Sequence, residues 1–369
     1  MYVVNQERSL NQEAKNSKYH IINIFLIYSP LHYLAAENIA ADFESNSRNF
    51  LFYLKPEFIE LVDPSKWDAV EFLPWPRFYP ENGMFGRIRR TRKNLAVVEK
   101  VCAGAKEIRL HTPVIDTEAI NYFINFIRFS HRDAQFCVRL IPDGLLNIQR
   151  YPMGLVKRTL QYFKKIRRFI YPSLNYYTFS GDRTGSDTKI VDRIYILPGF
   201  PNEYDTAKTV EVSLLRVNSR AYGGIPAEVA NKRALVVGQD LVSCKVFSEQ
   251  DMSSLTLGVR SFIEACGINN IAYKSHHRDR LDELFHPDYI KLVLDRPLET
   301  YLGSNHYDLV ISIVSTALLT ARIILPDSCR VVAYGMNMLK HRSDRDKKNL
   351  ESIFIALGVE MVNHNDGIL

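Results

Sequence analysis

Cysteine is scarce. There are five in 369 residues, Cys102, Cys137, Cys244, Cys266 and Cys329, an odd number with no Cys-x-x-Cys pair. That spacing excludes a disulfide framework and a zinc knuckle and points to a reducing compartment. No apolar run approaches the ~18–20 residues needed to span a bilayer, and the polar opening segment lacks the charged and then apolar layout of a secretory signal. A cytoplasmic protein is expected, with peripheral association at the inner membrane face left open. Short repeats, low-complexity tracts and heptad arrays are absent, as are a phosphate-binding P-loop and the G-x-G-x-x-G spacing of a dinucleotide site. A large excess of one charge is missing too: 47 basic against 41 acidic residues leave +6, a surplus whose placement matters more than its size.

What is present is the composition of a folded globule, 46% hydrophobic and 24% charged. At ~100–200 residues per domain the length suggests two domains or one elaborated one. After a polar leader, Ile21–Ile27 is a short apolar run rich in β-branched residues, read as a strand buried on both faces. Ser29 and Pro30 stop it and suit the cap and first turn of a helix carrying Leu31, Leu34, Ala35 and Ile39. Strands over 50–54, 108–110 and 136–141 and a helix over 117–129 continue the alternation of a parallel sheet.

The alternation restarts near Asn231. Strands are expected over 234–237, 270–274, 290–294, 309–313 and 330–333, and Ser248 with Asp251 resembles a capping box opening a helix. The predicted architecture is α/β with two Rossmann-like domains facing across a cleft, residues 1–227 and 228–343. Residues 344–369 form a helix expected to cross back to the first domain. Irregular structure and the crossover are expected over 171–227, where Gly, Pro, Ser and Asn are scattered.

Ligands of α/β sheets collect at the carboxyl ends of strands. Three places there carry chemistry. Pro142, Asp143 and Gly144 are ordinary turn vocabulary, yet a strand-end carboxylate is also suited to accept a proton from a hydroxyl. Lys274, Ser275, His276 and His277 gather cationic and titratable groups fit to steady or protonate a phosphate oxyanion; solvated surface histidines are the plain alternative for His277 and for His286. Ser312, Ser315 and Thr316 precede a helix start where amides and hydroxyls make an anion site, against a simple N-cap. Glu299, after Pro297, either complements a helix dipole or holds ribose hydroxyls. Asp344, Arg345 and Asp346 have the outline of a metal-binding DxD but lie among Lys and Arg, so a solvated turn is preferred and no metal is expected.

Two basic runs stand apart. Arg87, Arg89, Arg90, Arg92 and Lys93 crowd one short stretch, while Lys157, Arg158, Lys164, Lys165, Arg167 and Arg168 alternate with apolar residues over 155–169. The second reads as an amphipathic basic helix, suited equally to anionic lipid or a polyanionic polymer and to a charged solvated face over a core stripe. No nucleic-acid motif accompanies them, so nucleic acid is not an expected partner.

In chain order these residues resemble the bacterial lipooligosaccharide and capsule sialyltransferases and polysialyltransferases. Tyr28, Ser29, Pro30, Leu31 and His32 look like that group's Ser/Thr-Pro-Leu-Gln turn; Pro142, Asp143 and Gly144, with Asn147 following, look like its acidic-acidic-Gly motif, with proline in place of the first acid. Gly238 and Gln239 look like its Gly-Gln, and Lys274 with His276 like its Lys-x-His-Pro, with His277 in place of the proline. His276 is preferred over His286 with Pro287 as the equivalent histidine. Pro297, Leu298 and Glu299, and Ser315 with Thr316, look like its nucleotide-binding helix start and phosphate-binding hydroxyl pair.

The resemblance implies a GT-B fold and inverting transfer of sialic acid, or a related nonulosonic acid, from a CMP-activated donor to a hydroxyl of a capsule or lipopolysaccharide-type glycan. It implies Asp143 as base, His276 as acid, and Gly238, Gln239, Lys274, His277, Pro297, Glu299, Ser312, Ser315 and Thr316 about the CMP, with no cofactor. Legionaminic, pseudaminic or Kdo donors are the nearest alternative. Outside that class stand a nucleotide-sugar epimerase and a non-catalytic polyanion-binding protein.

Overall fold

The computed structural model describes residues 20–143, 150–198, 202–213, 232–276, 281–294, 297–339 and 344–364. The chain divides into two compact units, Met1–Leu197 with Asn202–Leu214, and Pro198–Pro201 with Leu215–Leu369. Each is built on a parallel sheet.

In the first unit β1 (Ile21–Ile27), α1 (Pro30–Asp42), β2 (Arg48–Tyr53), β3 (Ala69–Phe72), α2 (Gly86–Cys102), β4 (Glu107–Thr112), α3 (Glu118–Ser130), β5 (Gln135–Leu140), α4 (Leu155–Lys165), β6 (Val191–Ile196) and β7 (Thr209–Glu211) follow in order. The described strands lie as β3-β2-β1-β4-β5-β6-β7, every neighbouring pair parallel. Ile22, Ile24 and Leu26 pack with Phe52, Leu110 and Val138 against Leu95 and Val98 of α2 and Phe123 and Ile127 of α3. Each such fully buried side chain contributes about 1.5–3 kcal/mol.

The opposite face of β1 is not wholly apolar. Asn23 is fully buried and donates to Asn49 Oδ1 at 2.8 Å, and His111 stacks on Phe25 with ring centroids 4.1 Å apart. Glu44, buried after α1, pairs with Arg109 and Arg139, and Arg139 also meets Asp192 at 3.0 Å. Burial, reinforced by the guanidiniums of Arg139, Arg109 and Arg193, pushes the His111 imidazole well below its ordinary value and keeps it neutral. This seam accounts for β6, which falls inside the stretch expected to be irregular: Asp192 and Arg193 interrupt its apolar pattern because Asp192 answers the buried Arg139.

In the second unit β8 (Arg233–Val237), α5 (Glu249–Ala265), β9 (Asn270–Lys274), β10 (Ile290–Lys291), α6 (Leu298–Leu302), β11 (Leu309–Ser312), α7 (Thr316–Ile324), β12 (Arg330–Tyr334), α8 (Asp344–Ala356) and β13 (Glu360–Val362) give the sheet order β10-β9-β8-β11-β12-β13. The expected capping box forms: Asp251 N–H donates to Ser248 Oγ at 3.1 Å and Ser248 N–H to Asp251 Oδ2 at 3.2 Å, a cap that contributes on the order of 1 kcal/mol. The tail holds a helix, as expected, and adds a strand that was not. α8 leads into β13, which pairs with β12 from Val332 to Tyr334, and Arg330 meets Glu360 at 2.8 Å. An otherwise unpaired parallel edge explains this, since its N–H and C=O groups gain partners.

Candidate functional site

Asp143 lies three residues beyond β5, and His32 lies in the first turn of α1, just beyond β1. Ser29 caps that helix, its Oγ accepting from His32 N–H at 3.2 Å, and Pro30 fixes the first turn. This local geometry aims the imidazole at Asp143, with His32 Nε2 2.8 Å from Asp143 Oδ1. The proton can be assigned from the other nitrogen. Tyr28 N–H donates to His32 Nδ1 at 3.4 Å, so Nδ1 carries the lone pair and Nε2–H donates to the carboxylate. The imidazole is fully buried and the carboxyl about one-fifth exposed, at 19%, so an inaccessible group orients an accessible one.

Tyr28 completes the cluster, standing edge-on to His32 with centroids 4.5 Å apart. Burial first, and the nearby Asp143 charge second, raise its phenol well above the ordinary value and keep it protonated. His32 is the residue that reading the sequence missed as a site group. Its signal was a histidine at the start of a capped helix directly after the first strand. Gly144 and Asn147 lie outside the described residues.

In the second unit the loops after β8, β9 and β11 are fastened to one another. Gln239 Oε1 accepts from Val314 N–H at 2.9 Å and Ile313 N–H at 3.2 Å, while its Nε2 donates to Val314 O at 2.7 Å. Ser312 Oγ donates to Val237 O at 2.7 Å. Glu283, buried and unremarked in the sequence, accepts from Leu241 and Val242 N–H at 2.6 and 2.7 Å. Gly238 is required by close approach, because a Cβ there would lie 2.4 Å from Tyr273 Oη. Gly238, Gln239 and Ser312, expected about the donor, stand in the frame of this rim.

Ser315 is an N-cap, its Oγ accepting from Ala317 N–H at 3.2 Å, and Thr316 opens the nine-residue α7. Lys274 ends β9 with Nζ donating to Ser275 O at 2.8 Å, and burial lowers its ammonium below the ordinary value. His276 follows after Ser275, half-buried; His277 is outside the described residues. His286 is held locally, its Nδ1 3.3 Å from Asp288 Oδ2 and accepting from Asp288 N–H at 3.3 Å. Pro297 precedes the five-residue α6, Glu299 lies in its first turn, and burial raises the Glu299 carboxyl above its ordinary value. Among the described residues no group of three His, Cys, Asp or Glu is placed to hold a metal, and the side chains of Asp344 and Asp346 lie outside them.

Much of the two basic runs is engaged. Glu81 pairs with Arg90 at 2.6 Å and Lys93 at 3.0 Å, Arg89 donates to Asn82 O, and the Arg92 guanidinium lies over Tyr171 at 4.5 Å. Lys157 pairs with Asp116, and Lys164 and Arg167 with Glu118. Arg87 and Arg168 are exposed, with Arg158 and Lys165 half-buried. No described helix is long and apolar enough to cross a membrane.

The alpha-2,8-polysialyltransferase family model matches residues 23–332, which takes in most of both sheets and both strand-end rims. The chain belongs to that family. No curated protein matches it in sequence. Among solved structures, the UDP-GlcNAc 2-epimerase of Methanocaldococcus jannaschii is similar at 12% identity and TM-score 0.50, over 94% of this chain and 89% of that one. A spinosyn rhamnosyltransferase complexed with thymidine diphosphate is similar at 12% identity and TM-score 0.47, over 94% and 87%. A glycosyltransferase of Rickettsia africae stands at 10% and 0.46, over 86% and 80%. The polysialyltransferase-family chain is thus an α/β protein of GT-B type, two Rossmann-like units, and its family activity is sialyltransferase-like glycosyl transfer.

Proposed function

We propose that this protein transfers sialic acid, or a related nonulosonic acid, from its CMP-activated form to a hydroxyl of a bacterial capsule or lipopolysaccharide-type glycan, with inversion and without a metal ion. The observation that carries the reading is the buried His32 donating to Asp143 at the end of β5. A carboxylate held by one oxygen keeps a fixed direction for the other, which suits a general base.

In the reaction, Asp143 Oδ2 takes the acceptor hydroxyl proton as that oxygen bonds to the anomeric carbon. The bond from the anomeric carbon to the phosphate oxygen breaks, and the electron pair leaves with CMP. His276 donates a proton to the departing phosphate or steadies its negative charge, and Ser315, Thr316 and the amides at the start of α7 receive its oxygens. Lys274 adds charge beside His276, and Glu299 is assigned to ribose hydroxyls. His276 is chosen over His286 because it lies two residues past β9, beside Lys274. His32 acts through Asp143 and is a positioning residue.

Calorimetric titration with CMP, UMP and GMP in the presence of chelator tests the donor class. Selective binding of CMP is expected, and equal affinity for the three nucleotides would overturn the reading. CMP-linked legionaminic, pseudaminic and Kdo sugars then compete with CMP-sialic acid in one transfer assay to fix the sugar.

A further inference from the structure

α4 and the short 3-10 turn after it (Ile166–Phe169) are mounted with their apolar side outward. Gln161 is the one buried residue described on α4; its amide is closed against Phe179, donating to the carbonyl at 3.2 Å and accepting from the N–H at 2.9 Å. The same inward arc carries Lys157, held by Asp116, and Lys164, 3.1 Å from Glu118 and 5.3 Å from the centre of the Tyr176 ring. Arg167 joins Glu118 and donates to Tyr122 Oη at 2.9 Å. Leu155, Val156, Phe163, Ile166, Phe169 and Ile170 occupy the outer side, exposed from 56% at Ile166 to 78% at Leu155.

At helical spacing these six fall within roughly half of the circumference, a continuous face rather than scattered exposure. A soluble surface rarely leaves such a face bare, and here it is rimmed by cations. Arg168 is exposed with its guanidinium 5.0 Å from the Phe169 ring centre, Lys165 stands at the edge, and exposed Arg92 of α2 reaches over Tyr171. An apolar centre within a cationic rim is complementary to a bilayer with anionic headgroups, where the aromatic and aliphatic side chains enter the acyl boundary and the guanidiniums meet phosphate. A polyanionic glycan would find carbon where it needs charge, since several cations of this segment are turned inward to Asp116 and Glu118. A second copy of the same face would set two basic rims against each other.

We infer that the face formed by α4 and its 3-10 extension is a membrane-docking surface for anionic lipid. Its inner side is tied to Asp116, four residues past β4, and Asp143 lies three residues past the adjacent parallel β5. Docking would therefore hold the Asp143 end of this sheet toward glycans carried on the bilayer. The docking itself rests on exposure and charge, and is independent of the transfer reaction proposed above.

Vesicle co-sedimentation of the full chain provides the test, with phosphatidylcholine alone against phosphatidylcholine containing about one third phosphatidylglycerol. Wild-type protein is expected to partition onto the anionic vesicles and to be released by salt. The triple variant Phe163→Ser, Ile166→Ser, Phe169→Ser is expected to bind at least about tenfold more weakly, with an unchanged circular-dichroism melt because the replaced side chains are exposed. The double variant Lys165→Glu, Arg168→Glu should lose preference for anionic over neutral vesicles. Wild-type protein that stays in the supernatant with both compositions overturns the inference. So does binding to soluble polysialic acid that outcompetes the vesicles, or a dimer in sedimentation velocity that the triple variant dissociates.

Discussion

The two sheets place similar loops at similar positions and use them differently. In the first unit the first turn of α1, just after β1, sends His32 across to Asp143, which follows β5, two strands away, and the result is a hydrogen-bonded carboxylate with partial exposure. In the second unit the loop after β8 sends Gln239 to the backbone of the adjacent β11 loop, and its amide is occupied there. One contact leaves a carboxylate partly exposed; the other closes a frame on which Ser315, Thr316 and His276 are carried. A strand-end position in an α/β sheet supplies an opportunity for chemistry, and the partner reached by the side chain decides whether it is taken.

The sharpest way to break this contrast is at Asp143. Asp143→Asn is expected to lower the transfer rate about a hundred- to ten-thousandfold while leaving CMP affinity within about twofold in calorimetry, since the base acts on the acceptor. Near-normal transfer would remove Asp143 from the reaction. His276→Ala comes next, with about a hundredfold loss of turnover and weaker CMP binding; His286→Ala, measured alongside, should stay within about twofold. A reversal of that pair would move the acid to His286.

His32→Gln separates a positioning role from a merely structural one. It is expected to lower kcat by about tenfold with little change in the donor KM. A loss confined to thermal stability would reduce His32 to a packing residue. The framing role of Gln239 predicts the opposite signature: Gln239→Ala leaves buried backbone groups of the β11 loop without partners and should lower stability by about 1–3 kcal/mol in chemical denaturation, with CMP affinity falling only as that loop loosens. The smallest effect is expected from chelation, where transfer rates with and without EDTA should agree; a rate restored only by a divalent cation would require a new account of how the leaving phosphate is neutralised.

Much of the fold was legible because apolar periodicity is a local property. Ile21–Ile27 and Asn270–Lys274 are strands with the expected limits, and Ser248 with Asp251 forms its capping box. The elements that escaped are those whose pattern answers a partner elsewhere. β6 carries Asp192 because Arg139 is buried beside it, and β13 is a three-residue strand that exists by pairing with β12. The site followed the same division. Asp143, His276 and Ser315 stood out as strand-end groups, while the hydrogen bonds that tie Gln239 and Ser312 to neighbouring loops needed the sheet order to be seen.

By itself, then, the sequence determined most of the succession of strands and helices, the capped turn at Ser29 and Pro30, and the residues presented at strand ends, all of which depend on neighbours a few positions away. Tertiary structure alone decided that His32 meets Asp143, 111 positions along the chain, because strand order and not sequence distance brings the ends of β1 and β5 into reach. It also decided which way α4 faces. Periodicity marks two sides of a helix without saying which is inward, and here Asp116 and Glu118 draw the cationic side in and leave the apolar side out.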